Sequence, residues 1–329
     1  MRTFRLLLIL LLLCGGVPIA RGATLAVPKD YKSIQAAINA AKLGDTILVE
    51  AGIYQEVLKL KAGVTVQSVG EDTKGKIGFK RAEVTIIDGG GESKEPAVVL
   101  AEGGVFDGFT VRNVGVFEQK EYDKHYATQG EDLPDERGAV GVGKNFSAID
   151  VTGVTATVRH CIVHDNGHSG IGCRATKEKR NFSLLQNNVV FRNMGGGIGI
   201  AEGARPTVEG NVCFNNLRGG IGNRNSAGLL QKNECYDNVR SGIGIREGAT
   251  PIVRGNKCYK NRRAGIGIRM EGTNPIVEGN DCYQNAMAGI GVRDGAAPLI
   301  RRNRCYENTL AGIGSRDGAK AQIIANKCY

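Results

Sequence analysis

The sequence predicts an all-β protein folded as a parallel β-helix, a solenoid whose coils are each about 23 residues long. Three observations support this fold class. Asparagines recur every 22 to 24 residues, apolar and polar residues alternate within each interval, and 48 of the 329 residues are glycine. A period of this length, with short strands and bends in each unit, is typical of coils that stack about 4.8 Å apart.

The first 22 residues have the pattern of a secretory signal peptide. Arg2 and Arg5 precede an apolar run from Leu6 to Cys14, and small residues lead up to Gly22. The run is too short for a transmembrane helix, and no later stretch is long and apolar enough for one. We therefore predict a signal peptide at 1–22, a single domain at 23–329, no transmembrane segment, and a secreted, periplasmic or cell-surface location.

A capping helix is predicted before the coils begin. Residues 33–41 combine helix formers with an amphipathic stripe, and Ser33 is suited to the N-cap. The segment precedes an apolar strand at 46–49, so we expect the helix to close the open end of the core. No segment after residue 42 shows helical periodicity.

Regular repeats occupy residues 185–329 and return the same residue types in each coil. Two asparagine columns are expected at bends, where amides hydrogen-bond to one another and to the backbone. The columns are Asn188, Asn211, Asn233, Asn256, Asn280, Asn303 and Asn326, and Asn193, Asn216, Asn238, Asn261, Asn285 and Asn308. Each coil also contains Gly-Ile-Gly, in which the isoleucine faces the core and the glycines suit a tight bend and close packing between coils.

Six cysteines form one inward column: Cys213, Cys235, Cys258, Cys282, Cys305 and Cys328. An even number of cysteines in an exported protein favours disulfides. A core-facing column in which Val190 takes the same position one coil earlier favours buried thiols that serve packing. We favour thiols, and we predict no metal site because nothing in the interior would stabilise stacked thiolates.

Two outward columns are candidate ligand-binding surfaces, and a bend separates them, so one groove is not expected to use both. Aromatic rings either offer a platform for sugars or stack on one another. Arginines either bind the carboxylates or sulfates of an acidic glycan or are partly neutralised by Glu247, Asp294 and Asp317. The candidate ligand-binding residues are Tyr236, Tyr259, Tyr283 and Tyr306, and Arg224, Arg246, Arg269, Arg293 and Arg316.

An insertion at 117–137 interrupts the repeats and is rich in carboxylates. Loops that project from a rigid stack of coils are suited to catalytic residues, and paired carboxylates serve hydrolysis or lyase chemistry. The candidate catalytic residues are Asp123 and His125 in this insertion, with Asp150 and Asp165 on neighbouring coils.

Several segments resemble a known superfamily. Ser33-Ile34-Gln35, the run from Gly44 to Val49, and Gly52-Ile53-Tyr54 resemble the first segment of secreted right-handed parallel β-helix proteins of the pectin-lyase-like superfamily. The Asn-x-Cys-Tyr and Gly-Ile-Gly coils resemble the repeats of carbohydrate-active proteins and of periplasmic copper-pathway β-helix proteins. The resemblance covers nearly all of residues 24–329 and implies a right-handed solenoid. No lyase, esterase or galacturonase signature matches residue by residue.

The predicted function is binding of an acidic polysaccharide or a cell-surface glycan. Residues 184–329 carry 20 Lys and Arg against 11 Asp and Glu, which favours an anionic partner. One alternative is a polysaccharide lyase or glycoside hydrolase that uses carboxylates of the 117–137 insertion, with calcium as cofactor in the lyase case. Another is a non-catalytic structural surface protein. No other cofactor and no nucleic-acid partner are expected.

The last coil, which ends at Tyr329, has no capping segment in the sequence. Three explanations are open: a partner chain covers this coil, the chain is truncated, or the coil frays. Contact between chains at this coil is therefore a further expectation.

Overall fold

The structure is a computed structural model that describes residues 22–128 and 146–329. It is a right-handed parallel β-helix of about 13 turns, which confirms the predicted fold class. Each complete coil contributes one short strand to each of three parallel sheets. We number the sheets 1, 2 and 3 in the order in which the chain visits them within a coil.

The strands are short, and most contain three or four residues. Sheet 1 consists of Thr24–Val27, Thr46–Val49, Thr65–Ser68, Val105–Asp107, Thr157–Arg159, Leu184–Gln186, Thr207–Glu209, Leu229–Gln231, Ile252–Arg254, Ile276–Glu278, Leu299–Arg301 and Gln322–Ile324. Sheet 2 consists of Gly52–Tyr54, Thr85–Asp88, Thr110–Arg112, Ile162–His164, Val189–Phe191, Val212–Phe214, Glu234–Tyr236, Lys257–Tyr259, Asp281–Tyr283, Arg304–Tyr306 and Lys327–Cys328. Sheet 3 consists of Leu58–Lys59, Val98–Val99, Ser147–Thr152, Ser169–Arg174, Ile198–Ala201, Ile221–Arg224, Ile243–Arg246, Ile266–Arg269, Ala288–Arg293 and Ala311–Ser315.

The strands pair in register, so equivalent residues of successive coils lie side by side. Cys235 pairs with Cys258 in sheet 2, and Ile243 pairs with Ile266 in sheet 3. The inward side chains form one continuous core that runs the length of the solenoid. In-register stacking follows from the repeat period, because residues one period apart occupy the same position of adjacent coils.

The asparagine columns form hydrogen-bonded ladders at the bends before and after sheet 2. Asn211 Nδ2 donates to Leu185 O at 2.9 Å and to Asn233 Oδ1 at 3.0 Å. The backbone N–H of Asn211 donates to the same Asn233 oxygen at 3.0 Å. Because the amides are buried, these bonds satisfy backbone groups that the bends would otherwise leave unpaired.

Three short helices lie within the described ranges: α1 (Ile34–Ala40), α2 (Lys80–Val84) and α3 (Gln119–Ala127). Helix α1 is the predicted cap, and Ser33 Oγ accepts a hydrogen bond from the Ala36 N–H at 3.1 Å. Ile34 and Ile38 of α1 are buried in the core at the first coils. The other two helices lie after residue 42, where the sequence shows no helical periodicity, and they were not predicted. Both helices are short, and short helices depend on contacts with the rest of the protein for their stability. Such contacts leave little helical periodicity in the sequence.

A buried ion network joins α2 to the coils. Arg81 of α2 is 3% exposed, and its guanidinium contacts Asp72 at 2.6 Å and Asp107 at 2.5 Å. His160 Nδ1 lies 3.0 Å from the same Asp107 carboxylate. Burial opposes ionisation of Asp107, but hydrogen bonds with His160 and Arg81 outweigh it, and its pKa is lowered to about 2. The carboxylate is therefore held as an anion.

The eight described cysteines are free thiols, and seven of them are buried. Five members of the predicted column lie inside the solenoid, whereas Cys328 in the last strand is exposed. Across residues 22–128 and 146–329, no helix has the length and apolar character that crossing a membrane requires. The predicted signal peptide falls almost entirely on residues outside the described ranges.

Candidate functional site

A groove of about 870 Å³ runs along the outer face of sheet 3. Its floor is a column of glycines, each the second glycine of a Gly-Ile-Gly: Gly199, Gly222, Gly244, Gly267, Gly291 and Gly314. We call this column the glycine floor. It crosses six adjacent strands, so five spacings of about 4.8 Å give it a length of about 24 Å. The groove is therefore long, narrow and parallel to the solenoid axis.

The backbone does not require glycine at most positions of the floor. None of the six floor glycines has a positive φ. A Cβ added at Gly244 would meet nothing within 4 Å, and at Gly199 or Gly222 the nearest atom is 4.0 Å away. Glycine weakens a strand and often marks a place where another molecule approaches the backbone closely. The expectation that both glycines serve coil packing is therefore wrong for most of the floor.

The first glycine of each Gly-Ile-Gly does have the predicted structural role. A Cβ at Gly242 would lie 2.8 Å from Asn261 Nδ2 and 2.8 Å from Gly265 O. At Gly197 it would lie 2.5 Å from Gly220 O. A side chain at these positions would force adjacent coils apart. The first glycine of the motif is thus required for close packing between coils, whereas the second leaves the groove floor open.

The predicted arginine column forms one wall of the groove. This downstream arginine row consists of Arg174, Arg224, Arg246, Arg269, Arg293 and Arg316. Acidic residues lie behind it: Arg224 contacts Glu202 at 2.8 Å, and Arg316 contacts Asp317 at 3.0 Å. Glu247 lies 3.7 Å from Arg224 and 3.5 Å from Arg246. The predicted partial neutralisation is present, and the acids also hold the guanidinium groups in place.

A second arginine row, which the sequence-based prediction missed, lines the groove from the other side. This upstream arginine row is Arg218, Arg240 and Arg263. The Arg240 N–H donates to Arg218 O at 3.2 Å, so the row is in register. Its signal is an arginine three residues before Ile221, Ile243 and Ile266, as in Arg240-Ser241-Gly242-Ile243. The row follows the bend at the second asparagine ladder. The repeat period alone does not show which way the side chain of a bend residue points, so the sequence did not place these arginines in the groove.

The N-terminal end of the groove, which we call the groove head, contains a mixed set of side chains. Asp150 pairs with Gly172 and Gly172 pairs with Gly199 in sheet 3, so Asp150 lies in line with the glycine floor, two coils before its first glycine. Its carboxylate accepts from Thr152 Oγ1 at 2.8 Å and lies 3.5 Å from Arg174 Nη1. His168 and Phe146 line the same end, with ring centroids 4.8 Å apart in an edge-to-face contact. Burial lowers the pKa of His168, which favours the neutral imidazole at pH 7.

The insertion places its predicted catalytic residues beside the groove rather than along it. Tyr122 of α3 packs on Met194, Leu217 and Val239 at the bend between sheets 2 and 3. Asp123 is exposed and accepts from Gln119 Nε2 at 2.7 Å. His125 is buried, with Nε2 3.5 Å from Glu121. Residues 129–137 of the insertion lie outside the described residues.

The fourth candidate, Asp165, lies at the bend after sheet 2. It contacts His164 Nδ1 at 2.7 Å and Arg192 Nε at 2.8 Å. Burial opposes its ionisation, but these two hydrogen bonds outweigh burial and lower its pKa. Of Asp123, His125, Asp150 and Asp165, only Asp150 is aligned with the groove floor. The structure therefore does not bring the four together into one site.

The outward aromatic column lies on sheet 2, on a different face from the groove. The rings from Phe191 to Tyr329 stack with centroids 4.8 to 5.4 Å apart and planes within 8° of parallel. Each internal ring places both faces against its neighbours and offers only its edge to other groups. The rings follow the stacking interpretation, and a sugar-binding role for Tyr236, Tyr259, Tyr283 and Tyr306 stays a prediction.

Within the part of the chain that the structure describes, no group of three or more His, Cys, Asp or Glu side chains is arranged to hold a metal ion. His160, His164 and His168 each have different surroundings: the Arg81 network, Asp165 and the groove head respectively. A role for calcium stays a prediction tied to the lyase alternative.

Solved structures with similar folds span most of this chain. The A-module of mannuronan C-5 epimerase AlgE4 from Azotobacter vinelandii is 18% identical, has a TM-score of 0.57, and the match covers 90% of each chain. The periplasmic alginate epimerase AlgG is 15% identical with a TM-score of 0.53, covering 93% of this chain and 83% of that one. XylC, solved in complex with xylose, is 10% identical with a TM-score of 0.54, covering 93% and 69%. At these identities the likeness shows the fold.

Comparison of sequences identifies the family of this chain. No curated protein matches this sequence significantly. The family model named right-handed beta helix region matches residues 142–213 and 211–329, which together make up more than half of the chain. The protein therefore belongs to the right-handed β-helix family.

Proposed function

We propose that the groove on sheet 3 binds an acidic polysaccharide whose chain lies along the solenoid axis. The observation that carries this proposal is the pairing of two arginine rows across a floor without side chains. Guanidinium groups bind carboxylates and sulfates through paired, charge-assisted hydrogen bonds. A floor of glycine lets an extended polymer approach the backbone between the two walls.

The length of the groove supports a polymer over a small molecule. The downstream arginine row repeats once per coil over four consecutive coils from Arg224 to Arg293, so cationic groups recur about every 4.8 Å. A ligand with anionic groups at regular intervals contacts many of them at once. Two of the similar structures are named as epimerases of mannuronan and of alginate, and a third holds xylose, which supports a carbohydrate-related function. An exported location, as the predicted signal peptide implies, fits such a ligand.

Retention on immobilised polysaccharides tests the proposal. The mature protein should bind one or more acidic polymers and no neutral polymer, and binding should weaken as salt screens the charges. Arg246→Ala, Arg269→Ala and Arg293→Ala should each weaken binding about ten- to a hundredfold, since a hydrogen bond to a charged group contributes about 1.5–3 kcal/mol. Arg254→Ala is the matched control because Arg254 is exposed on sheet 1, away from the groove. Equal losses in the groove variants and this control would refute the proposed site.

The groove head favours catalysis on the bound polymer as a second candidate function. His168 is a neutral imidazole that can accept a proton, and Arg174 is placed to neutralise an anionic sugar beside it. This assignment differs from the carboxylates of the 117–137 insertion, because Asp123 does not line the groove. If incubation with acidic polymers, with or without calcium, shortens them, His168→Gln should abolish the reaction and Asp123→Asn should retain it. A reaction that persists in His168→Gln and is lost in Asp123→Asn would instead assign catalysis to the 117–137 insertion. A structural surface protein predicts neither binding nor reaction.

A further inference from the structure

The groove changes its chemistry between the coil of Arg263 and the coil that follows. The position that holds Arg218, Arg240 and Arg263 holds Met287 and Leu310 in the next two coils. The Met287 N–H donates to Arg263 O at 3.3 Å, and the Leu310 N–H donates to Met287 O at 3.1 Å, so the column stays in register. Met287 is 39% exposed and Leu310 is 72% exposed. The upstream wall is therefore basic in the middle of the groove and apolar at its C-terminal end.

A second column changes in the same direction at a neighbouring coil. Beside the glycine floor runs a column of small residues that also lines the groove: Ser169, Gly196, Gly219, Ser241, Ala264, Ala288 and Ala311. It carries hydroxyls or no side chain as far as Ser241 and methyl groups from Ala264 onward. Two adjacent columns thus become apolar within one coil of each other. We call the part of the groove bounded by Met287 and Leu310 the groove tail.

The opposite wall of the groove tail keeps its positive charge. Arg293 and Arg316 continue the downstream arginine row, with Asp294 and Asp317 as their nearest acids at 3.6 and 3.0 Å. An occupant of the tail must therefore present an anionic group to one wall and an apolar group to the other. The hydroxyl groups of an unsubstituted acidic sugar bury little apolar surface against this wall, so an occupant with an apolar substituent gains more from it.

We propose that the groove tail binds an O-acylated segment of an acidic polysaccharide, with acyl methyl groups against Met287 and Leu310 and anionic groups against Arg293 and Arg316. A short acyl ester removes a hydroxyl donor and adds apolar surface at the periphery of the sugar, while the acidic group of the sugar is retained. This inference rests on the proposed function of the groove and specifies the substitution pattern of its ligand.

The test compares two polymers that differ only in acylation. Alginate and polygalacturonate are each presented unmodified and after chemical O-acetylation, at matched chain length. The wild-type protein should bind an acetylated form about fourfold more tightly for each methyl group that it buries. The double variant Met287→Ser/Leu310→Ser should bind both forms with the affinity of the wild type for the unmodified polymer. Ile252→Ser is the matched control, because Ile252 is 40% exposed on sheet 1, and it should keep the preference.

The outcomes separate this inference from the proposed function. If Arg246→Ala weakens binding of both forms but the wild type has no preference for the acetylated one, the acyl inference is wrong and the polysaccharide groove remains. A preference that survives in the double variant also overturns the inference. If neither form of either polymer binds in an arginine-dependent way, the proposed function falls and the inference falls with it.

Discussion

At the scale of single residues, the groove depends on where side chains are absent. Gly242 and Gly244 belong to one Gly-Ile-Gly motif and flank the same buried isoleucine. Gly242 is confined by the next coil, with Asn261 Nδ2 and Gly265 O both 2.8 Å from the position of its missing Cβ, whereas Gly244 faces open space in the groove. A sequence pattern that repeats both glycines equally cannot tell a packing requirement from a ligand requirement.

Substitution of these two glycines separates stability from binding. Gly244→Val should leave the thermal unfolding midpoint unchanged or raise it, because valine suits a strand better than glycine, and should abolish polysaccharide binding by filling the floor. Gly242→Ala should lower the midpoint by several degrees, since its Cβ lies 2.8 Å from a backbone oxygen of the next coil. Calorimetry and the retention assay measure both effects. Normal binding by Gly244→Val would show that the floor does not contact the ligand.

At the scale of elements, the asparagine ladders hold the bends that orient the three sheets. Asn238 Nδ2 donates to Cys213 O and Tyr236 O, and Asn238 Oδ1 accepts from both the N–H and the side chain of Asn216. This bend lies between the stacked aromatics of sheet 2 and the upstream arginine row. The ladder therefore determines how the groove wall stands relative to its floor.

Loss of one ladder amide should destabilise the solenoid. Asn238→Ala leaves several buried backbone and amide groups without partners, and each such group costs about 1–3 kcal/mol. We expect the free energy of unfolding in urea to fall by about 2–4 kcal/mol. Asn274→Ala is the control, because Asn274 is exposed and outside both ladders. Similar losses in the two variants would contradict a structural role specific to the ladder.

At the scale of the whole molecule, stability should depend on pH through buried carboxylates. The pKa of Asp107 is lowered to about 2 from an ordinary value of 3.8, so its ionised form is favoured in the folded state. Its stabilisation is complete above about pH 4 and is lost as pH falls toward 2. The shift corresponds to about 2 kcal/mol. Asp88 and Asp165, whose pKa values are also lowered, add to the loss in the same direction.

Urea unfolding at pH 7, 4, 3 and 2 measures this dependence. The wild-type midpoint should change little from pH 7 to 4 and fall between pH 4 and 2. Asp107→Asn should be less stable at pH 7, because it leaves the buried Arg81 undercompensated, and should lose less stability on acidification. Parallel pH profiles for the two proteins would show that Asp107 is not responsible.

The sequence alone determined the coil, the ladders and the inward columns. These follow from the period, because residues about 23 apart, such as Ile243 and Ile266, must lie side by side once the coils stack. The downstream arginine row could be predicted from the same period, and the helical cap could be predicted from the suitability of Ser33 for an N-cap. The arginine row is present as a groove wall, whereas its role in ligand binding stays a prediction.

The period does not show which columns share a surface, and this followed from the folded structure. Arg240 precedes the sheet 3 strand and Arg246 ends it, yet both line one groove because the bend at Asn238 directs Arg240 toward the floor. Helix α3 takes its place through contacts of Tyr122 with three successive coils, and this contact has no periodic signal in the sequence. Period specifies which residues stack along the solenoid axis, whereas backbone angles at the bends specify which way each stack faces, and those angles depend on packing between coils.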